Sequence, residues 1–311
     1  MSARRIVLPG GSGFLGRSLT ARLTARGDRV TILTRGQPAS GDGWDAVHWD
    51  GCSPGRWSEV LDGADAVVHL SGKRVDCRPT RRNLDELISS RVDSVRAVGE
   101  AIRRCPAPPP VWVQMSSLAI FGEGGDDIID ERTPPSGRGP AQMVQVCLAW
   151  EKAFAEASAG VARKVLLRAG IGLGGSGDPA TERLTWLVRR GLGGRAGSGR
   201  QWVSWIALED LLRIMVKAID DEKMSGLYHA TSPGPVTNAD MMATYRELLG
   251  RRLGLPAPAP VTFLGAILLG SDPALALTGR RCVPTRLREE GFDFSVPSFR
   301  EAASGAVASL A

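Results

Sequence analysis

Apolar positions in the first half of the chain follow two alternating rhythms. Ile6-Val7-Leu8, Val30-Thr31-Ile32-Leu33-Thr34 and Ala64-Asp65-Ala66-Val67-Val68-His69-Leu70 are short uninterrupted runs with the length of strands. The last is nearly continuous in apolar residues, as in a strand buried on both faces. Between the first two, Leu15, Leu19 and Leu23 recur at helical spacing until Gly27 and Asp28 break the helix. Val47 to Trp49 predicts a short third strand. A helix is expected from Asp85 to Arg103, with Val92, Val95 and Ile102 on one side, and Pro106 to Pro110 stops it. A strand at Val111 to Met115, a helix at Trp150 to Ala157 and a strand at Lys164 to Arg168 continue the alternation. Strand and helix in turn predict an α/β fold with a doubly wound parallel sheet over residues 1–172.

Beyond Gly172 the rhythm changes. Glycine-rich loops surround Trp186 to Arg190, a strand follows at Val203 to Ala207, and a helix at Glu209 to Ile219. Thr237 with Asp240 reads as a capping box opening a helix to Leu249, and Ser298 with Glu301 repeats the pattern before the last helix. The Pro-rich stretch Leu255 to Pro260 reads as a linker. Residues 173–311 are therefore expected to form a smaller, mostly helical substrate lobe with a distinct C-terminal part from about residue 255, while segments from 200–235 can complete the sheet.

The first βα turn, Leu8-Pro9-Gly10-Gly11-Ser12-Gly13-Phe14-Leu15-Gly16, points to a Rossmann-type dinucleotide site. A pyrophosphate-binding turn needs positions without a Cβ where the chain turns sharply, where it approaches the ligand, and where helix packs on strand. Gly10 or Gly11, Gly13 and Gly16 fill these places, and the N–H groups from Phe14 and Leu15 onward open the helix toward the phosphates. With 38 glycines in 311 residues such strings also arise by chance; the strand before and the helix after are what give this one weight. At the end of the second strand a carboxylate would bind a ribose 2′-hydroxyl and repel a 2′-phosphate. Arg35 stands there instead, and its planar fork suits a phosphate, so NADP(H) is expected over NAD(H).

Composition narrows the surroundings. An apolar fraction of 43% with 23% charged residues is that of a globular protein, and the net charge of +6 is scattered rather than massed. The densest basic stretch, Lys73 to Arg104, is interleaved with carboxylates and reads as a solvated helical face, so no nucleic-acid partner is expected. Five separated cysteines without a CxxC point to a reducing cytoplasm, and three dispersed histidines to no metal site. From Met1 onward no apolar leader precedes the first strand, and Val261 to Leu269 is too short to cross a bilayer. A small-molecule substrate and a monomer or homodimer are the expected partners.

Together these motifs resemble the extended and atypical short-chain dehydrogenases/reductases, and within them the epimerase-like family with an additional C-terminal domain of uncharacterised role. The resemblance is carried by the glycine turn, Leu33-Thr34-Arg35-Gly36, Val67-Val68-His69-Leu70-Ser71-Gly72, Ser90-Arg91-Val92, Ser116-Ser117, Trp150-Glu151 and Leu167-Arg168-Ala169-Gly170. Gly199-Arg200-Gln201-Trp202-Val203-Ser204-Trp205-Ile206 with Asp210, and Pro284 with Gly291-Phe292, extend it over nearly the whole chain. It implies that Gly10, Ser12, Gly13, Phe14, Leu15, Gly16, Arg35, Leu70, Ser71, Gly72, Ser116 and Arg168 surround the cofactor. Asp50 resembles the acid that reaches the adenine amino group, and an Asp before Gly51 equally suits a turn.

The wider superfamily transfers a proton through a Tyr placed four residues before a Lys. Counting back from Trp150-Glu151, those positions fall on Met143 and Cys147, and neither Tyr228 nor Tyr245 precedes a Lys at that spacing. Ser117 sits where the resemblance puts the catalytic hydroxyl. Asp127, among the loop acids Asp126, Asp127, Asp130 and Glu131, is the candidate proton donor, although such a loop is also simply solvated. Arg200 suits an anionic substrate, and Trp202 with Trp205 fits either a substrate wall or the core. The expected activity is an NADP(H)-dependent oxidoreductase or epimerase-like reaction on a small carbonyl or hydroxyl compound. A cofactor-binding sensor or scaffold, and a non-redox cyclase or isomerase retaining the cofactor fold, are the alternatives.

Overall fold

The computed structural model describes residues 3–135, 139 and 141–310; the start of the N-terminal reading, at Met1, lies outside them. Eight strands form one sheet: β1 (Arg5–Pro9), β2 (Arg29–Thr34), β3 (Ser40–Gly41), β4 (Trp44–His48), β5 (Ala66–His69), β6 (Val111–Ser117), β7 (Arg163–Ala169) and β8 (Gly226–Ala230). Their order is β8-β7-β6-β5-β1-β2-β4-β3, parallel throughout except for β3, which returns antiparallel beside β4. Chain order reverses between β1 and β5, the kind of switch point where an open α/β sheet leaves a crevice at its carboxyl edge. The β8 strand comes from beyond residue 172, so the first lobe's sheet is finished by the second half of the chain.

The strands buried deepest are those that read as apolar runs. All four residues of β5 are buried, and in β6 only Ser117, at its carboxyl end, is partly exposed. Helices α1 (Phe14–Ala25), α2 (Arg81–Arg104), α3 (Ala141–Ala157), α4 (Pro179–Arg189) and α5 (Leu208–Asp220) follow in chain order. Helix α1 packs with α5 and α2 with α3, two pairs that cover the two faces of the sheet. Trp112 of β6 meets Phe154 of α3 edge to face at 5.2 Å.

Several boundaries differ from the expectation. The third long strand runs over Trp44–His48 rather than Val47 to Trp49, because this strand, next to the sheet edge, alternates in polarity and its apolar signal is thin. Trp49 itself turns into the core against Trp57, ring centroids 5.2 Å apart. Helix α3 begins well before Trp150. The loops expected around Trp186 contain α4, opened by Asp178, whose carboxylate accepts from the N–H groups of Ala180 and Thr181 with Pro179 at the first helical position.

Beyond β8, α6 (Asn238–Leu248) is capped as expected, Thr237 accepting from the Asp240 N–H at 3.2 Å. The last helix, Phe299–Ala308, starts at Ser298 without a side-chain cap bond, so no capping box forms there. Trp205 is fully buried and meets Phe299 edge to face at 5.4 Å, which settles it as core. The stretch read as a linker is tied down: the N–H groups of Leu255 and Ala257 donate to the carbonyls of Gly191 and Arg195, both at 3.0 Å. Asp210, 1% exposed at the start of α5, accepts from the N–H groups of Ser295 and Val296, the Ser295 hydroxyl and Arg213, holding the C-terminal segment on α5.

Candidate functional site

At the switch point the glycine turn meets the end of β5. Gly10 adopts φ +79°, and a Cβ there would stand 2.7 Å from the Ser71 backbone, so both conformation and space require glycine. A Cβ on Gly16 would collide with the Gly11 backbone, which is the close contact of helix on turn. Gly13 caps α1 without a side-chain bond, and the first turn carries no acid. The opening N–H groups and positive end of the helix are thus left for an anion. The Ser71 hydroxyl is buried there with no partner, the kind of orphan that a ligand satisfies. Ser12 is exposed and its hydroxyl accepts from Thr34 at 3.1 Å; Phe14 and Leu15 are half-buried, with Leu70 half-buried and Gly72 exposed at the β5 end. The shape and the donors both fit a dinucleotide pyrophosphate.

Arg35 leaves the end of β2 fully at the surface, its stem lying 3.5 Å from the place a Gly51 Cβ would occupy, and its guanidinium makes no bond with any described residue. Asp50, beside it, is engaged. One oxygen accepts from the N–H groups of Cys52 and Ser53 at 2.9 Å and the other from the Ser53 hydroxyl. These bonds, the Cys52 N–H first, hold its carboxyl well below the usual carboxylate range. The structure thus displays Asp50 as the turn residue that the sequence also allowed.

A second cluster lies at the carboxyl ends of β6, β7 and β8. Glu151 of α3 takes both forks of Arg168, at 2.9 and 2.8 Å, and accepts from the Ser116 hydroxyl at 2.6 Å. Ser116 and Arg168, read as cofactor neighbours, are therefore committed to a largely buried ion pair. Glu151 and Arg91 are participants that residue reading did not single out. Both sit where the apolar face of their helix should continue, Val144-Cys147-Glu151-Phe154 and Leu87-Arg91-Val95-Val98, and a charge inside such a stripe was the available signal. Arg91 is 7% exposed; it donates to the carbonyls of Leu87 and Lys73 at 3.0 Å, stacks 4.9 Å from the Trp150 ring, and keeps its Nε unpartnered.

Ser117 is half-buried and its oxygen accepts from the Ala119 N–H at 3.2 Å, which leaves its O–H proton to donate. Met143 packs on a small apolar cluster that includes Phe121, Cys147 and Cys282. Burial pushes the Cys147 thiol up to about 12. Of the loop acids, Asp126 accepts from the Trp202 indole at 2.8 Å, Asp130 from the Arg132 N–H at 3.0 Å, and Glu131 from the His229 N–H at 3.0 Å. Asp127 is exposed and makes no bond with a described residue. His229 is fully buried with Nε2 unpartnered, and burial pulls it down to about 4.

Arg200, expected to face a substrate, is 84% exposed and stands 3.9 Å from Asp126, which is 74% exposed. Trp202 is half-buried under Arg281, 4.4 Å from its ring centroid. Among the described residues no three His, Cys, Asp or Glu side chains group to hold a metal, and no helix is long and apolar enough to cross a membrane.

Comparison with known proteins places this arrangement. The profile of the NAD dependent epimerase/dehydratase family matches residues 6–229, and that of a domain of unknown function, DUF1731, matches residues 257–305. The human epimerase family protein SDR39U1 is 31% identical over 308 residues, 98% of this chain and 100% of the human one. The crystal structure of that human protein (isoform 2) with NADPH superposes with a TM-score of 0.82 at 29% identity, covering 98% of this chain and 100% of that one. A nucleoside-diphosphate sugar epimerase from Corynebacterium glutamicum is similar at 30% identity and a TM-score of 0.76, over 98% of this chain and 58% of its own. The chain therefore belongs to the NAD dependent epimerase/dehydratase family, with the DUF1731 segment as its C-terminal part.

Proposed function

We propose that the protein binds NADP(H) and catalyses an oxidoreductase or epimerase-like reaction on a small carbonyl or hydroxyl compound. The observation that carries the cofactor assignment is the Gly10–Gly16 turn, closed against Ser71, with the unbonded Arg35 fork at the end of β2. The helix N-terminus receives the pyrophosphate, the Ser71 hydroxyl gains its missing partner, and Arg35 takes the 2′-phosphate through paired N–H groups. The NADPH-bound human relative supports this reading. NADPH, when bound, supplies a hydride.

In this reading the chain's own part is to hold the substrate oxygen in line and manage one proton. Ser117 donates its O–H to the substrate oxygen. Asp127, unbonded on the neighbouring loop, exchanges the proton with solvent. Ser116 and Arg168 act through Glu151, fixing the ends of β6 and β7. The protein works in the cytoplasm, as a monomer or homodimer.

Titration with NADPH and NADH, followed by nicotinamide fluorescence, tests the cofactor half. Arg35→Ala should weaken NADPH by about 1.5–3 kcal/mol, at least tenfold, while leaving NADH unchanged. Equal affinity of the parent for both cofactors overturns it. A second reading is favoured by Met143 and the neutral Cys147 at the Tyr and Lys positions: NADP(H) is bound as a signal and not turned over. Oxidation of bound NADPH by any member of a panel of aldehydes, ketones and enones would exclude that reading.

A further inference from the structure

Beyond β7 the chain passes through the short strand Ile171–Leu173 and then Gly174-Gly175-Ser176-Gly177-Asp178 into α4. The backbone of this loop is held between two elements that are far apart in sequence. A Cβ on Gly174 would stand 2.5 Å from the ring of Phe14, the first residue of α1, and one on Gly177, at φ +87°, 3.3 Å from the same ring. At Gly175 the obstacle is Ser309, at the end of the last helix, which leaves no room for a Cβ. Rotating the hydroxyl would not make room, because the Ser309 Cβ itself would lie 2.6 Å from the added carbon. The start of α1, the loop and the end of the last helix are therefore in direct contact, one upon the next.

Both sides of this stack are anchored. Asp178, 6% exposed, accepts from the Gly174 N–H at 3.1 Å, the Thr181 N–H at 3.2 Å and the Thr181 hydroxyl at 2.6 Å, and Glu182 accepts from the Gly177 N–H at 2.8 Å. The loop is thus tied to the first turn of α4. At its other end the last helix is fixed by Phe299, which meets Trp205 at 5.4 Å and Tyr245 at 6.2 Å, and it packs on α4 and α6. Helix α4 in turn reaches the loop after β5, where Arg183 donates to Asp76 at 3.0 Å. A glycine-rich segment loses more backbone freedom on ordering than any other, so contacts on both its sides are what keep it in place. Phe14 directly follows Gly13, the cap of α1, in the turn whose N–H groups are left for an anion.

We propose that the last helix is a latch on the cofactor site: Ser309 holds the Gly174–Asp178 loop against Phe14, and this closed stack sets how slowly a bound dinucleotide leaves. Release through a moving loop is a common slow step, and here the loop opens only when its contact with Ser309 or with Phe14 breaks. The C-terminal segment thereby has a task of its own, retention of the cofactor, which is separate from the recognition of the 2′-phosphate by Arg35. The inference rests on the NADP(H) reading above for the identity of what is retained, while the contact between Ser309 and the loop stands on geometry.

The test is the rate of NADPH release from the full chain, followed by stopped-flow nicotinamide fluorescence, together with the melting temperature of the free protein. Gly175→Ala puts a carbon where Ser309 stands, so whichever partner yields, the contact opens, and release should be about tenfold faster. Ser309→Gly removes the pressing side chain and should speed release about threefold. Combining the two should restore it to within about twofold of the parent, because the added carbon then meets the residue 309 Cα at 4.0 Å, an ordinary contact. Parent-like release from folded Gly175→Ala, or a double variant as fast as Gly175→Ala, overturns the latch. So does a lower melting temperature with unchanged release, the mark of a merely structural contact. If Gly175→Ala does not fold, Ser309→Gly decides, and parent-like release from it refutes the proposal. Failure of the parent to bind NADPH would overturn the cofactor reading and the retention together, whereas binding with unchanged release overturns the latch alone.

Discussion

The two ends of the cleft are built from different materials. At the glycine turn the fit is made by backbone: Gly10 at φ +79°, the crowded Gly16, an uncapped α1 and a single orphan hydroxyl on Ser71. At the carboxyl ends of β6 and β7 it is made by side chains that arrive from separate elements, with Glu151 binding Arg168 and Ser116, and Arg91 stacked on Trp150. A backbone site tolerates no change in conformation but does not depend on which chemistry is performed nearby. A side-chain site depends on which residues arrive, and here its frame is Glu151 with Ser116 and Arg168.

The largest effect should come from the side-chain end. Glu151→Gln removes the charge that neutralises Arg168, which is 8% exposed, and leaves a buried guanidinium unpaired. Breaking such a pair from one side costs about 3–5 kcal/mol, so the urea midpoint should fall sharply. A loss below about 1 kcal/mol would mean that water reaches Arg168 and that this cluster is not the rigid frame described. Gly10→Ala strikes the other end. A Cβ there meets the Ser71 backbone at 2.7 Å and forces a positive φ on alanine, at about 2–3 kcal/mol. NADPH affinity should fall more than tenfold along with the melting temperature, and unchanged binding would show that the turn does not touch the cofactor.

The same contrast governs what could be read from the sequence. The turn, the buried run of β5 and the position of Arg35 are local, because strand, glycine and helix follow one another within a few tens of residues. The cluster at Glu151 is not: Ser116, Glu151 and Arg168 come from β6, α3 and β7, and only the sheet order brings them together. For Asp50 and Arg200 only the structure shows the contacts they make, Asp50 with the N–H groups of its own turn and Arg200 exposed beside Asp126. The strand boundary at Trp44–His48 and the helix at Pro179–Arg189 were obscured by a half-exposed, alternating pattern and by glycine-rich flanks.

The smallest expected effect sharpens the comparison most. Cys147 lies one turn of α3 before Glu151, and a reactive thiolate there would give the side-chain end a nucleophile of its own. Burial instead pushes this thiol up to about 12, so in the folded protein it stays protonated where an unfolded thiol has begun to ionise. The raised value favours the folded state at pH below about 9 and loses that contribution as pH rises toward 12. Cys147→Ala should therefore leave the NADPH affinity and the pH dependence of any turnover unchanged between pH 6 and 9. Stability should change mainly through the lost volume, by about 1 kcal/mol. The alkaline fall in stability of the parent should become shallower in the variant. A limb near pH 8 in the parent's turnover that vanishes in Cys147→Ala would overturn the neutral thiol and make the side-chain end a cysteine-dependent site.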